Sequence, residues 1–154
     1  MSAYRLFREG GYAELMDEPT IVGIIHISSL IREGIRDLLS RQSGILVVGT
    51  FDNARAVLSE PIQGYHILLY DLETSHQDGR ALMTDLRQRI PLVKILVFGV
   101  ADNDQAIIEC VRAGASGCIL QDASLDDLVA AIRSLALGTP PISPRVVTTL
   151  FRYV

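Results

Sequence analysis

Four short apolar stretches of this chain each end in residues that could contribute to a binding or catalytic site. These residues are His26 with Ile27, then Asp71, Gly99 and Gln121, and each follows a run rich in Ile, Leu and Val. The carboxyl ends of parallel strands meet at one edge of a sheet, and ligands bind beyond that edge. We therefore expect these residues to lie around one site.

The chemistry available at such a site is limited. Magnesium is usually held by one or two carboxylates together with water or phosphate oxygens, so a lone Asp71 beside Ile27 is a poor metal site. The segment IIHISS lacks the glycines of a phosphate-binding loop. The strand ends also carry no metal-ligand cluster and no serine or cysteine with a nearby base. The sequence thus predicts no catalytic residue, no metal and no cofactor, and the chain is not expected to be an enzyme.

His26 and Asp71 follow the first and third apolar runs, which are neighbours in the expected sheet. We hypothesise that they form a hydrogen bond or an ion pair that holds the site in one state. In the alternative, Asp71 caps nearby backbone amides and His26 only packs.

Five apolar runs separated by helical patterns must position these residues. The runs span 21–25, 45–49, 66–71, 94–99 and 117–121. Their near-continuous Ile, Leu and Val content is typical of strands covered on both faces. Since parallel strands require crossovers, we predict an α/β fold, a flavodoxin-like five-stranded parallel sheet of order 2-1-3-4-5 with helices on both faces.

Helical periodicity predicts five helices, near 29–41, 54–58, 80–89, 103–113 and 124–138, of which the first four connect the strands. In the first of them, one side carries the apolar residues Leu30, Ile31, Ile35, Leu38 and Leu39. Ser143-Pro144 predicts the start of a further helix, because serine favours the N-cap and proline the first helical position. We divide the chain into an N-terminal extension (1–19), a main domain (20–139) and a C-terminal helix or linker (140–154).

Composition narrows the function further. The 154 residues are 49% hydrophobic and 21% charged, with a net charge of −4, which suits a folded domain but not a surface that binds phosphate backbones. No run is long enough to span a membrane and no signal peptide is recognisable, so we expect a cytoplasmic protein. Cys110 and Cys118 lack metal-ligand spacing and are expected to be reduced, buried thiols.

The stretch from Thr20 to Leu150 resembles the receiver domain of bacterial response regulators, in particular the LuxR/NarL type. The residues that carry the resemblance are LIREG (30–34), ILVVG (45–49), YDLETSHQDG (70–79), RAGASGCILQDAS (112–124) and AAIRSLALGTPPISPRVVTTL (130–150). The resemblance implies the CheY-like form of the fold, a role in two-component signal transduction, and Asp71 at the phosphoacceptor position.

The other positions of an active receiver site are changed. Active receivers use an acidic pair, an aspartate, a Ser or Thr and a lysine, which together hold magnesium and the aspartyl phosphate. His26 and Ile27 stand at the positions of the acidic pair, and Gly99 stands at the position of the hydroxyl residue. Gln121 replaces the lysine, and Cys118 replaces the aromatic residue that usually rotates on activation. The sole lysine, Lys94, begins the fourth run at the opposite end of the sheet. We therefore expect an atypical receiver that works without phosphorylation.

Two other readings remain open. A ligand or a protein partner could switch a stand-alone receiver through the degenerate pocket of His26, Ile27, Gly99, Cys118 and Gln121, or Asp71 could still accept phosphate. The interpretation that the chain is an enzyme with this fold is the least favoured.

The resemblance also implies partners. Receivers of this type are followed by a linker and a helix-turn-helix domain, so we expect a transcription regulator that binds DNA only through a domain absent from this chain. We expect a homodimer, formed either through the fourth helix, fifth strand and fifth helix or through the first and fifth helices. The N-terminal extension is expected to clasp the body or the neighbouring copy, and no membrane is involved.

Overall fold

A computed structural model describes residues 18–60, 64–71, 79–141 and 143–153, which form five strands and six helices in strict alternation up to a final helix. The strands are β1 (Thr20–Ile25), β2 (Ile45–Phe51), β3 (Ile67–Tyr70), β4 (Lys94–Val100) and β5 (Gly117–Leu120). The helices are α1 (Ser29–Ser40), α2 (Ala54–Leu58), α3 (Gly79–Arg89), α4 (Asp104–Arg112), α5 (Leu125–Ala136) and α6 (Pro144–Tyr153). The predicted N-terminal extension lies, up to residue 17, outside the described residues.

All five strands are parallel and lie in the order β2-β1-β3-β4-β5, which confirms the predicted fold. The sheet separates two apolar clusters. One lies under α2, α3 and α4 and includes Val57, Leu86 and Ile107, and the other lies under α1 and α5 and includes Leu39 and Ile132. Strands buried on both faces account for the continuous apolar runs in the sequence.

The packing of α1 differs from the expectation. Of the apolar residues assigned to its inner side, Leu39 is fully buried, whereas Leu30 is 80% exposed and Ile31 and Leu38 are about half exposed. The reason is its position, because α1 packs mainly on the edge strand β2 and much of its circumference projects past the sheet.

The final helix α6 docks on α4, and its first turn begins at the predicted Ser143 cap. The guanidinium of Arg145 donates to Asp102 and Asp104, each at 2.8 Å, and the buried Thr149 hydroxyl donates to Asp104 at 2.9 Å. Val146 is buried against the cluster beneath α4. This helix is therefore an integral layer of the described structure.

None of the helices in the described part of the chain is long and apolar enough to span a membrane.

Candidate functional site

The ends of β1 and β3 bring His26 and Asp71 together. Ile25 pairs with Tyr70 at the last position of the two strands, so the residues that follow leave the sheet side by side. The pairing continues one step further, because the Asp71 backbone N–H donates to the Ile25 carbonyl at 3.3 Å.

The His26 imidazole donates to the Asp71 carboxylate, with 3.0 Å between Nε2 and Oδ2. The other ring nitrogen, Nδ1, accepts the backbone N–H of Ser28 at 2.9 Å. A nitrogen that accepts a hydrogen bond carries no proton, so His26 is the neutral tautomer with its proton on Nε2. Of the two forms that we hypothesised, the structure therefore holds a hydrogen bond rather than an ion pair.

Two residues that the sequence did not single out hold His26 in place. Phe98 of β4 stacks on the imidazole, with 5.8 Å between ring centroids and 24° between ring planes. Arg32, one turn into α1, donates to the carbonyl oxygens of His26 at 2.6 Å and Ile27 at 3.1 Å. Neither contact has a signature in the sequence, because each depends on how neighbouring elements pack. His26 is 8% exposed as a result.

Gly99 lies at an irregularity in β4. The β4–β5 register shifts between Val97 and Val100, and Gly99 has a φ of +72°, which is the left-handed region that favours glycine. An added Cβ at this position would meet nothing within 4 Å. A serine or threonine at this position is therefore disfavoured by the backbone conformation of Gly99 and not by crowding.

A cleft of about 100 Å³ opens beside Asp71. Its described lining comprises Asp71, Val97, Phe98, Gly99, Val100, Ala101, Ala106, Glu109 and Cys110. Glu109 is a second acidic residue in this lining, which the sequence did not single out because it lies within α4 and not at a strand end. The volume is well below the roughly 300 Å³ of small drug-binding pockets, so the described part of the cleft suits only a ligand of a few atoms.

The other predicted pocket residues are not part of the described lining of the cleft. Ile27 is 66% exposed and Gln121 is exposed, while Cys118 is buried. Lys94 is exposed at the first position of β4, at the edge of the sheet opposite to Asp71. Of the predicted set, Asp71 and Gly99 line the cleft and His26 contacts Asp71.

The prediction of two reduced thiols is wrong, because Cys110 and Cys118 form a disulfide. The two residues lie on α4 and β5, with their Cα atoms 6.9 Å apart. Their spacing of eight residues gives no hint of this pairing, which arises only when α4 folds back over the sheet beside β5. Cys110 also lines the cleft, so the disulfide lies directly behind the site.

The residues at the site do not fit a magnesium ion of the kind that active receivers hold. Asp71 Oδ2 already accepts the Nε2–H of His26, which presents a proton where a metal requires a lone pair. Within the described ranges, no group of three His, Cys, Asp or Glu side chains is arranged to hold a metal.

Asp71→Ala is expected to lower the free energy of unfolding by about 1–3 kcal/mol, because the buried Nε2–H of His26 loses its acceptor. Asp71→Asn keeps an acceptor oxygen and is expected to lose less. Urea denaturation measures both, and ¹⁵N shifts of the imidazole report its tautomer. Equal stabilities for the two variants would contradict a structural hydrogen bond at this position.

The chain is similar to curated transcription regulators over most of its length. It is 29% identical to the transcriptional regulatory protein DegU of Brevibacillus brevis over 131 residues, and 28% identical to the nitrate/nitrite response regulator NarL of Escherichia coli K12 over 135 residues. These matches cover 84% and 86% of this chain, but only 55% and 62% of the relatives. The chain thus spans little more than half the length of these two proteins.

Solved structures give the same fold. The isolated REC domain of RcsB from Salmonella enterica serovar Typhimurium, in its apo form, has a TM-score of 0.75 at 25% identity and covers 86% of this chain and 98% of that one. The same domain with the phosphomimetic BeF3⁻ has a TM-score of 0.73 at 23% identity, covering 86% and 99%. A structure of two RcsB dimers bound to DNA has a TM-score of 0.74 at 24% identity, covering 88% and 68%.

The family model for the response regulator receiver domain matches residues 22–133, which include all five strands except the first residues of β1, together with α1 to α4 and most of α5. This match covers well over half of the chain. The chain therefore belongs to the response regulator receiver domain family and is a regulatory domain.

Proposed function

We propose that this chain is an atypical receiver that regulates a transcription regulator without phosphorylation of Asp71. The observation that carries the proposal is the hydrogen bond from His26 Nε2 to Asp71 Oδ2 at 3.0 Å. Asp71 would be the nucleophile of phosphotransfer, and its carboxylate is here engaged by a buried neutral imidazole in place of a metal ion.

The surroundings of Asp71 support the proposal. Stabilisation of a transferring phosphoryl group depends on cations and donors placed around it. Gly99 offers no hydroxyl, Gln121 replaces the lysine of active receivers, and the sole lysine of the chain lies at the opposite sheet edge. A phosphoryl group on Asp71 would find few groups to neutralise its charge.

A titration with magnesium followed by BeF3⁻, an acyl-phosphate mimic, tests the proposal. We expect no saturable amide NMR shifts near Asp71, Gly99 and Gln121. The isolated RcsB receiver domain, which has been solved with BeF3⁻, serves as the positive control under the same conditions. Saturable shifts at these residues in the present chain would show that Asp71 still accepts a phosphoryl group, and the proposal would be abandoned.

For the whole protein, we propose a homodimeric transcription regulator of the LuxR/NarL type that acts in the cytoplasm and binds DNA through a helix-turn-helix domain. The support is the likeness to DegU and NarL, and the arrangement of RcsB as dimers on DNA. The disulfide is the feature least typical of this compartment, because cytosolic disulfides are usually transient.

A further inference from the structure

The Cys110–Cys118 disulfide fastens helix α4 to the neighbouring strand β5. Its two residues are eight positions apart in the sequence, and their Cα atoms are 6.9 Å apart. A disulfide forms only when its two Cα atoms lie within about 7 Å of each other. The oxidised pair can therefore exist only while α4 lies against β5.

The turn between α4 and β5 is already held by hydrogen bonds. Gly114, with a φ of +92°, ends the helix, and its backbone N–H donates to the Val111 carbonyl at 2.9 Å. Ser116 exchanges two hydrogen bonds with the backbone of Ile95 in β4, at 2.8 and 3.1 Å. In addition, the entropic stabilisation from a disulfide grows with the length of the loop that it closes, and this loop is short. The disulfide is therefore poorly placed to stabilise the fold as a whole.

The disulfide matters more for α4 itself, because few side chains hold this helix. Of the nine residues of α4, Ile107 and Cys110 are the two that are buried, and one of them forms the disulfide. Elements with few buried apolar contacts open locally at a low cost in free energy. Breaking the disulfide thus removes one of the two buried anchors of α4.

Helix α6 depends on α4 for its position. Arg145 of α6 donates to Asp104 of α4 at 2.8 Å, and Val146 lies in the same buried cluster as Ile107 and Cys110. A displacement of α4 is therefore transmitted to α6. In the proposed regulator, α6 is the helix that leads toward the DNA-binding domain.

We propose that the Cys110–Cys118 disulfide is a reversible redox site, and that its reduction by a dithiol releases α4 and the α6 docked on it. The inference rests on the proposed phosphorylation-independent regulator of the cytoplasm and names the input to which it responds. Thiols are kept reduced in that compartment, and the disulfides that do form there are usually transient, catalytic or redox-sensing.

The reaction is a thiol–disulfide exchange. Cys118 is 9% exposed and Cys110 is fully buried, so the incoming thiolate attacks Sγ of Cys118 once α4 begins to open. The bond between the two sulfurs breaks, Cys110 leaves as a thiolate and takes up a proton, and a mixed disulfide forms at Cys118. The second thiol of the reductant then displaces Cys118. Two electrons and two protons have passed to the chain, and the reductant has become a disulfide.

Thiol trapping on the full chain tests whether the site is reversible. The sequence contains two cysteines, so the number of N-ethylmaleimide labels per chain, counted by intact-protein mass spectrometry after an acid quench, reports the redox state. Excess reduced dithiothreitol is expected to give two labels per chain without denaturant, and oxidised glutathione is expected to restore the unlabelled chain. A disulfide that is reduced only when urea is present during the reaction is structural, and it overturns the proposal. Reduced chains that do not reoxidise overturn it as well.

Hydrogen exchange of the two redox states tests the release of the helices. On reduction, the α4 and α6 amides are expected to lose roughly tenfold or more of their protection, while the β1 and β3 amides keep theirs. The double variant Cys110→Ala/Cys118→Ala is the matched control, because it cannot form the disulfide and should exchange equally with and without dithiothreitol. Unchanged protection of α4 and α6 in the reduced chain overturns the proposal, and so does a loss that extends equally to β1 and β3.

The redox site and the proposed function can fail separately. The BeF3⁻ titration is performed on both redox forms of the chain. Saturable shifts in either form contradict the phosphorylation-independent function but do not change the result of thiol trapping. A disulfide that resists dithiothreitol in the folded chain overturns the redox site and has no bearing on whether Asp71 accepts a phosphoryl group.

Discussion

The substitutions His26→Asp, Ile27→Asp and Gln121→Lys, made together, are expected to convert the chain into a magnesium-dependent phosphoacceptor. The two new carboxylates join Asp71 to give the oxygen ligands that magnesium prefers, and the lysine supplies a cation for the phosphoryl group. The change also removes the imidazole that now donates to Asp71. Incubation with acetyl phosphate and intact-protein mass spectrometry should show phosphorylation of most of the variant and none of the original chain.

Two controls make that result specific. Adding Asp71→Asn to the three substitutions is expected to abolish phosphorylation, because the nucleophile is lost. Magnesium is expected to raise the melting temperature of the triple variant but not of the original chain, because three neighbouring carboxylates repel one another until a cation binds. Phosphorylation of the original chain at a rate similar to that of the variant would contradict the proposed function.

Gly99 is left unchanged in this design for a structural reason. Its φ of +72° would place a residue with a Cβ in the left-handed region, at a cost of about 1–2 kcal/mol. We therefore do not expect a hydroxyl residue at this position to improve the reconstructed site unless the β4 irregularity also relaxes.

Arg145→Ala is expected to release α6 from α4. The Arg145 guanidinium donates to both Asp102 and Asp104, and it also contacts the buried Thr149 hydroxyl at 2.7 Å. Without it, two carboxylates and one buried hydroxyl lose a shared donor. Hydrogen exchange followed by mass spectrometry should show that the α6 amides lose roughly tenfold or more of their protection, while the β1 and β3 amides keep theirs.

Arg152→Ala is the matched control for α6. Arg152 is more exposed and, among the described residues, its guanidinium donates to one carboxylate, that of Asp104 at 2.9 Å, so its loss is expected to change α6 protection much less. Equal effects of the two substitutions would contradict the central role of Arg145, and unchanged protection in both would show that apolar packing alone holds α6.

Acid should release α6 in the original chain as well. Hydrogen bonds from Arg145, then from Thr149, lower the pKa of Asp104 below its ordinary value of 3.8. A lowered pKa means that the carboxylate stabilises the docked state above pH 3.8, and that this contribution disappears as the pH falls through the lowered value. The α6 amides should therefore lose protection in that acidic range, and Arg145→Ala should weaken the dependence, because Thr149 and Arg152 still donate to Asp104.

The sequence by itself determined the architecture and the type of site. Five near-continuous apolar runs separated by helical patterns are typical of parallel strands covered on both faces, and five such strands most often take the order that the structure shows. Because the ends of parallel strands share one sheet edge, the meeting of His26 and Asp71 followed too. The helix cap at Ser143 was likewise readable, since it depends on residues three positions apart.

Only the tertiary structure decided which residues from separate elements come into contact and which way each helix faces. The bond from Ser28 to Nδ1 set the tautomer of His26, and the packing of α4 against β5 joined Cys110 to Cys118. The periodicity of α1 predicted an apolar side but not that the edge position of the helix would leave Leu30 exposed. The periodicity of a sequence shows which residues lie on the same side of a helix. How the helices and strands pack together determines whether that side is covered.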